Sequence, residues 1–338
     1  MINEVIKLVA PRRMEMFFQE EIVDQNHVVV RPKYLSICAA DQRYYTGARA
    51  KEILDKKLPL ALIHEAVGEV LYDPKGEFKP QDRVVMIPNT PFEKDGYVRE
   101  NYLRTSKFRS SSGDGFLQNV VLMRRDRIIK IGDIDFRTAA LLEPISVGVN
   151  GVKEFLRTSH KRRDVIGVWG CGSIGYLTVL VLKKYLPRSK IIIFGPDEEK
   201  MNYFSFADKQ IMINNVPEDL KIDHAFECVG GPRAEDAIKQ IIKHINPQGT
   251  ISLLGVSENP VPIETRMVLE KGLTLIGNSR SGYDDFYEAV EIMQDKRMQD
   301  YVDNIIIDTV EVNEINDIYK AFDVDLNNRF KTVMKWNI

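Results

Sequence analysis

The stretch GVWGCGSIGY, residues 167–176, constrains this chain more than any other. It sets Gly170-x-Gly172-x-x-Gly175 directly after the apolar run 165–169 and before an apolar helix pattern. Strand, tight turn and helix start in that order form a dinucleotide site. Gly170 permits the turn, Gly172 has no side chain to keep a pyrophosphate away, and Gly175 lets the helix press on the strand. The free N–H groups at the start of the helix, from Ser173 and Ile174 onward, then face the anion. A Gly-rich turn can carry the same spacing, so the surroundings decide. β-branched runs recur at 165–169, 190–194, 210–213, 224–228, 250–254 and 274–277, with helix-like stretches such as 232–245 and 261–271 between most of them. Near-continuous apolar strands alternating with helices predict an α/β fold whose doubly wound parallel sheet is buried on both faces. The spacing predicts a Rossmann cofactor-binding domain over 146–281.

Elsewhere the pattern changes. A length of 338 residues predicts about two domains. Residues 1–145 hold short strand-like runs broken by Pro, Gly and Asp, which predicts an irregular, barrel-like β-rich domain. Residues 89–115 are polar and rich in Gly and Ser, and read as a long loop of the kind that is usually functional. A helix over 141–152 is expected to lead into the cofactor domain. Helix patterns and a last strand beyond 282 are expected to return to the first domain and complete it, giving 1–145 with 282–338.

Charge narrows the partners. A formal net charge of −2 gives no electrostatic case for nucleic acid or an acidic membrane, and leaves a small molecule as the expected partner. No apolar run reaches spanning length, and the first residues lack a signal-peptide core. Three cysteines, Cys38, Cys171 and Cys228, cannot form a disulfide framework, which fits the cytoplasm.

Cys38 ends a strand-like run, His64-Glu65 begins another, and Glu143 precedes Pro144 at an expected helix start. Thiolate, imidazole and carboxylate together suit Zn²⁺ with one position left for substrate. By residue type alone, Cys38 serves equally as a small buried hydrophobe and Glu143 as a helix cap.

The motifs CAAD (38–41), HEAVGEV (64–70), DRVV (82–85), LLEPISV (141–147) and GVWGCGSIG (167–175), in that order over essentially the whole chain, resemble the zinc-dependent medium-chain dehydrogenase/reductase family. The resemblance implies a GroES-like catalytic domain beside the Rossmann domain. Carried over by motif, Cys38 and His64 match zinc ligands, and Glu65 and Glu143 match the carboxylates that complete or exchange in the polyol-dehydrogenase branch. Within the family, CAADQRYYTG (38–47), LIHEAVGEV (62–70), MIPNTP (86–91) and SSGDGFLQ (111–118) look most like the bacterial ribulose-5-phosphate reductases. That likeness implies NADPH reduction of D-ribulose 5-phosphate to D-ribitol 5-phosphate, which feeds CDP-ribitol and wall teichoic acid or capsule synthesis. It also implies a homodimer and, by pathway, a cytidylyltransferase partner. Two rivals are an NAD-dependent dehydrogenase of an unphosphorylated polyol and a non-catalytic nucleotide-binding protein on the same fold.

Several departures from the family pattern matter. Residues 89–115 contain no cysteine, so the lobe that holds a second zinc in many relatives is missing and one zinc per chain is expected. Ala40 stands where many relatives carry a proton-relaying hydroxyl; Asp41, Tyr44 or a water activated by Glu65 are the candidates in its place. Ile63 and Gln81 stand where the common patterns have Gly. Gly195 falls where NAD-dependent relatives have an acid, and Lys200 follows five positions later, a pattern that favours the 2′-phosphate of NADPH; the rival is that Asp197 takes over the ribose. Arg43 and Arg109 are the candidates for the substrate phosphate.

Overall fold

A computed structural model describes all the residues, Met1–Ile338, and divides them into two compact units, Met1–Ser146 with Ser281–Ile338 and Val147–Arg280. In the second unit six parallel strands lie in the order Lys209–Met212, Lys190–Gly195, Val165–Trp169, His224–Glu227, Thr250–Leu253 and Thr274–Gly277. These are the six apolar runs of the sequence. The strand Val165–Trp169 pairs with Lys190–Gly195 on one side and His224–Glu227 on the other, so the chain order reverses there. In an open α/β sheet that reversal marks the crevice where ligands bind. The helix Ala234–His244 buries Ala234, Ala237, Ile238, Ile241 and Ile242, a single apolar stripe at helical spacing. The helix expected over 261–271 forms only as Thr265–Lys271. Pro260 and Pro262 favour extended backbone ahead of it, and Gly272, at φ 59°, ends it.

The first unit is built on a seven-stranded sheet. Ile306–Val312, Lys331–Trp336, His27–Ser36, Glu65–Tyr72, Arg83–Met86 and Ile128–Lys130 follow one another, and Val121–Arg124 branches onto His27–Ser36. Its register decides the chemistry. Ser36 lies opposite Glu65 on one side and Val333 on the other. The start of one strand, the end of the next and the start of the last strand of the chain are thereby fixed side by side. Residues 89–115 are mostly loop, with one short paired ladder of Asn89–Thr90 against Lys107–Phe108. Ile63 and Gln81, the two positions where Gly is common, both have left-handed backbone, at φ 71° and 74°. Gly is favoured there for a steric reason, and this chain accepts the strain instead. No helix is long and apolar enough to cross a membrane.

Candidate metal centre and dinucleotide turn

Cys38 precedes the helix Ala39–Tyr45, His64 and Glu65 open the strand Glu65–Tyr72, and Glu143 sits in the first turn of the helix Leu142–Thr158. Ligand atoms of Cys38, His64 and Glu65 all lie within 4.8 Å of one another. His64 and Glu65 are buried and Cys38 is half-buried. Glu143 is buried as well, and no hydrogen bond or ion pair engages its carboxylate. Burial, reinforced by the charge on Glu65, pushes that carboxyl up to about 7, against the pull of His64 and Lys331. A thiol, an imidazole and a carboxylate within reach of one another, with a further unpartnered buried acid in the field of His64 and Glu65, fit a cation, and the donor set suits Zn²⁺.

Asp41 holds the imidazole. One of its oxygens accepts the N–H of Ile63 at 3.0 Å and the hydroxyl of Ser110 at 2.6 Å. The other accepts the N–H of Cys38 at 3.3 Å and faces His64 Nδ1 at 3.4 Å, leaving Nε2 as the ligand atom. Burial opposes the charge on Asp41, but His64, Ser110 and the Ile63 amide outweigh it and hold the carboxyl below its usual range. Burial likewise opposes a charged His64, yet Asp41 and Cys38 keep it well above the ordinary histidine value. The positive charge this pocket favours is one that a dication would supply. Asp41 therefore acts through His64, and as a held anion it is a poor proton donor. Tyr44 is buried, with the Arg49 guanidinium 4.4 Å from its ring centroid.

Two side chains here escaped the sequence reading. Lys331, the first residue of the last strand, contacts both oxygens of Glu65 at 2.6 and 2.8 Å. A lysine at the start of a strand whose other residues include the apolar Val333, Met334 and Trp336 was the available signal. Ser110, at φ 60°, reaches Asp41 from the polar loop and gave none. The two phosphate candidates differ. Arg43 lies on the same short helix as Asp41. Arg109 donates to the carbonyls of Leu122 and Asp114 at 2.9 and 3.3 Å and lies over the ring of Phe116, and burial pushes it down to about 10. Its guanidinium is engaged in holding its own loop.

In the second unit the three glycines of the turn have three separate tasks. Gly170 has φ 116°, and a side chain there would meet the backbone of Cys228 at 2.7 Å. A Cβ on Gly175 would stand 1.8 Å from the carbonyl of Gly170. Gly172 caps the helix Ser173–Tyr185 and faces open space, with nothing within 4 Å. That is the cradle a pyrophosphate needs. Beside it lies a cavity of about 420 Å³, with the stacked rings of Trp169 and Phe194 in its wall. Gly195 ends the second strand, and a Cβ there would meet Cys171 Sγ at 2.6 Å. Asp197 spends one oxygen on the amide of Lys200, which caps the helix Glu198–Met201. Burial raises the Cys171 thiol, against the pull of the Asp197 backbone and the charge of Lys200. Glu227, buried at the end of the fourth strand, accepts the amides of Val229, Gly230 and Gly255 and ties two loops of this end of the sheet together. The sequence reading missed it, because a buried Glu inside an apolar run has no periodic signature.

Residues 24–133 match the alcohol dehydrogenase GroES-like domain and residues 136–336 the glucose dehydrogenase C-terminus. The chain is 50% identical to the ribulose-5-phosphate reductase of Bacillus spizizenii, over the full length of both proteins. It is 48% identical to ribulose-5-phosphate reductase 2 of Staphylococcus aureus, again over both full lengths. The crystal structure of S. aureus TarJ in complex with NADPH superposes with a TM-score of 0.90 at 44% identity, covering all of each chain.

Proposed function

The chain belongs to the zinc-type medium-chain dehydrogenase/reductase family, and from that membership we infer that it is a ribulose-5-phosphate reductase, using NADPH to convert D-ribulose 5-phosphate to D-ribitol 5-phosphate. The observation that carries the reading is the buried Cys38–His64–Glu65 cluster in a chain that matches such reductases from end to end. When bound, Zn²⁺ supplies Lewis-acid polarisation of the C2 carbonyl and NADPH supplies the hydride. Cys38, His64 and a buried carboxylate, Glu143 or Glu65, hold the ion. Asp41 fixes the imidazole through its hydrogen bonds to the loop and the backbone. Gly172 and the amides after it receive the pyrophosphate. Gly195 puts no acid at the end of the second strand to repel the 2′-phosphate, and Lys200 pairs with that phosphate. Arg43 meets the substrate phosphate.

Two finer statements complete the proposal. The enzyme works in the cytoplasm as a homodimer, and its product passes to a cytidylyltransferase for CDP-ribitol, teichoic acid or capsule synthesis. The test is NADPH oxidation against a panel of ketoses and ketose phosphates, with metal content measured on the same sample. Ribulose 5-phosphate should be strongly preferred over free ribulose, with one zinc per chain. Faster NAD-linked oxidation of an unphosphorylated polyol would overturn the reading.

A further inference from the structure

We infer that Arg233 is a second cation for the 2′-phosphate of NADPH, brought to it by the loop after the fourth strand, and that it sets the cofactor preference of the dinucleotide cavity. The inference rests on the NADPH reading above and adds to it a residue that tells the two nicotinamide cofactors apart.

Three observations carry it. First, Arg233 lines the cavity of about 420 Å³ into which Gly172 of the turn and Pro196, directly after the second strand, also open. The pyrophosphate cradle and the ribose end of the site therefore share one small space with this guanidinium. The strand order explains why. The second and fourth strands flank Val165–Trp169, so the loops that follow them meet beyond its carboxyl end. Second, the guanidinium of Arg233 is exposed and makes no hydrogen bond, ion pair or ring contact within the protein. A free guanidinium is suited to a phosphate, because its fork of N–H donors matches two phosphate oxygens at once. Third, the backbone that carries it is fixed in place. Gly230 and Gly231 have left-handed backbone, at φ 62° and 60°, and a Cβ on Gly230 would meet the backbone of Val256 at 2.7 Å. Glu227 accepts the amides of Val229 and Gly230, and Gly231 donates to the carbonyl of Val256 at 2.9 Å. The anchor of the side chain is thus set before the cofactor arrives, which lowers the ordering cost of binding.

The charge balance of the cavity gives Arg233 its weight. Trp169, Phe194, Ile213, Val229 and Ala237 form an apolar wall suited to the adenine ring. The other charged residue of the lining is Asp236, which repels a phosphate. Without Arg233 the lining would carry a net negative charge and favour NADH. The experiment uses the full-length protein, with the fragments 2′,5′-ADP and 5′-AMP as binding probes and NADPH and NADH in kinetics. Arg233→Gln should weaken 2′,5′-ADP and raise the KM for NADPH by about tenfold or more, while 5′-AMP and NADH change by less than about twofold. Arg233→Lys should recover most of the loss, since the charge returns. Asp236→Asn should tighten 2′,5′-ADP by about two- to threefold. Equal losses for both fragments in Arg233→Gln would overturn the inference by showing that Arg233 serves the adenine ring or the loop, and no loss for either would place the phosphate elsewhere. Wild-type protein that binds 2′,5′-ADP no more tightly than 5′-AMP and prefers NADH would instead overturn the NADPH reading on which the inference stands.

Discussion

The dinucleotide turn occupies six consecutive residues, 170–175, whereas the candidate metal cluster gathers Cys38, His64 with Glu65, and the Lys331 that holds Glu65 from three separate stretches of the chain. In the turn, function follows from what is missing: side chains that would meet a carbonyl, a strand or a pyrophosphate. In the cluster, function follows from which side chains a strand register brings together. The first kind of site is governed by local sterics and should fail through the fold or through cofactor binding. The second is governed by charge and ligation and should fail through chemistry while the fold survives.

The largest effect should come from Cys38→Ala. It removes the only soft ligand of the cluster, and zinc content and turnover should fall together, the latter by about a thousandfold or more. Cys38 is half-buried, and its side chain belongs to no core, so the thermal midpoint of the metal-free protein should hardly move. Metal analysis, kinetics and calorimetry on one preparation check all three. Two zinc ions per wild-type chain, or full activity in the variant, would break the contrast.

The glycines of the turn should separate folding from binding. Gly175→Ala drives a methyl to 1.8 Å from the Gly170 carbonyl, and backbone on both sides has nowhere to move. A loss of about 3 kcal/mol or more is expected in denaturant unfolding. Gly172→Ala meets nothing in the protein. Its stability should stay within about 0.5 kcal/mol of wild type, while the KM for NADPH rises about tenfold or more. Equal destabilisation by the two would show that Gly172 serves the fold and leaves no space for the cofactor.

These differences explain what could be read in advance. The six strands and the turn were legible because each depends on neighbours within a few residues: a β-branched run, a glycine at a fixed offset. The candidates Cys38, His64, Glu65 and Glu143 were recognisable as residue types, but the ammonium that holds Glu65 was not. Lys331 lies 266 residues from Glu65 and reaches it only through sheet pairing. Asp41 was legible as a polar residue near the site, but the hydrogen bonds that hold it as an anion come from Ile63 and Ser110, far from it in the chain. Arg109 looked available beside a Ser/Gly run, and the folded loop engages it with backbone carbonyls. Apolar spacing over 261–271 reads as one helix, but Pro260 and Pro262 hold its first residues extended and leave only Thr265–Lys271 helical.

Cofactor preference tests the same local logic at an intermediate size. Gly195→Asp should favour NADH by placing a charge against the 2′-phosphate, and two unit charges about 4 Å apart interact by roughly 4 kcal/mol at an effective dielectric near 20. The structure adds a condition. A Cβ at 195 meets Cys171 at its Sγ, 2.6 Å, and at its Cβ, 2.7 Å, so the single variant should lose stability before it changes preference. Gly195→Asp combined with Cys171→Gly removes the cysteine side chain and leaves only the flexible thioether of Met201, 2.8 Å from that Cβ, to shift. That pair should shift the ratio of kcat/KM for NADPH over NADH by about ten- to hundredfold toward NADH, with the change mainly in the KM for NADPH. A wild-type preference for NADH would show that Asp197 takes the ribose in spite of its capping role.

The smallest expected effect is a difference in how the two units respond to acid. In the second unit His224 is fully buried, with its ring 4.3 Å from that of His160 and 4.9 Å from that of Phe155. Its Nδ1 accepts the amide of Thr250 and its Nε2–H donates to the carbonyl of Arg162, which fixes the neutral tautomer. Burial, with His160 and Arg163 adding like charge, pushes it down to about 4, although Asp223 and the Arg162 carbonyl pull the other way. The unfolded chain takes up that proton near pH 6.5 and the folded unit refuses it until about pH 4. Stability from this group is therefore fully present above about pH 6.5 and is lost as the pH falls from there toward 4. In the first unit the corresponding buried group is Asp73, which Arg125 and the amides of Phe78 and Lys75 hold far below the usual carboxylate range. Its contribution persists until the pH drops below about 4, where the unfolded carboxylate protonates. Between pH 6.5 and 5, amide hydrogen exchange should quicken in the strands Val165–Trp169, His224–Glu227 and Thr250–Leu253 before it does in His27–Ser36 and Glu65–Tyr72. His224→Gln keeps an acceptor and a donor but cannot titrate, so it should flatten the response of the second unit alone. If the turn at 170–175 holds the cofactor as proposed, saturating NADPH should mask the difference. Parallel acceleration in both units, or an unchanged slope in His224→Gln, would show that the two regions share one acid response and that His224 does not set it.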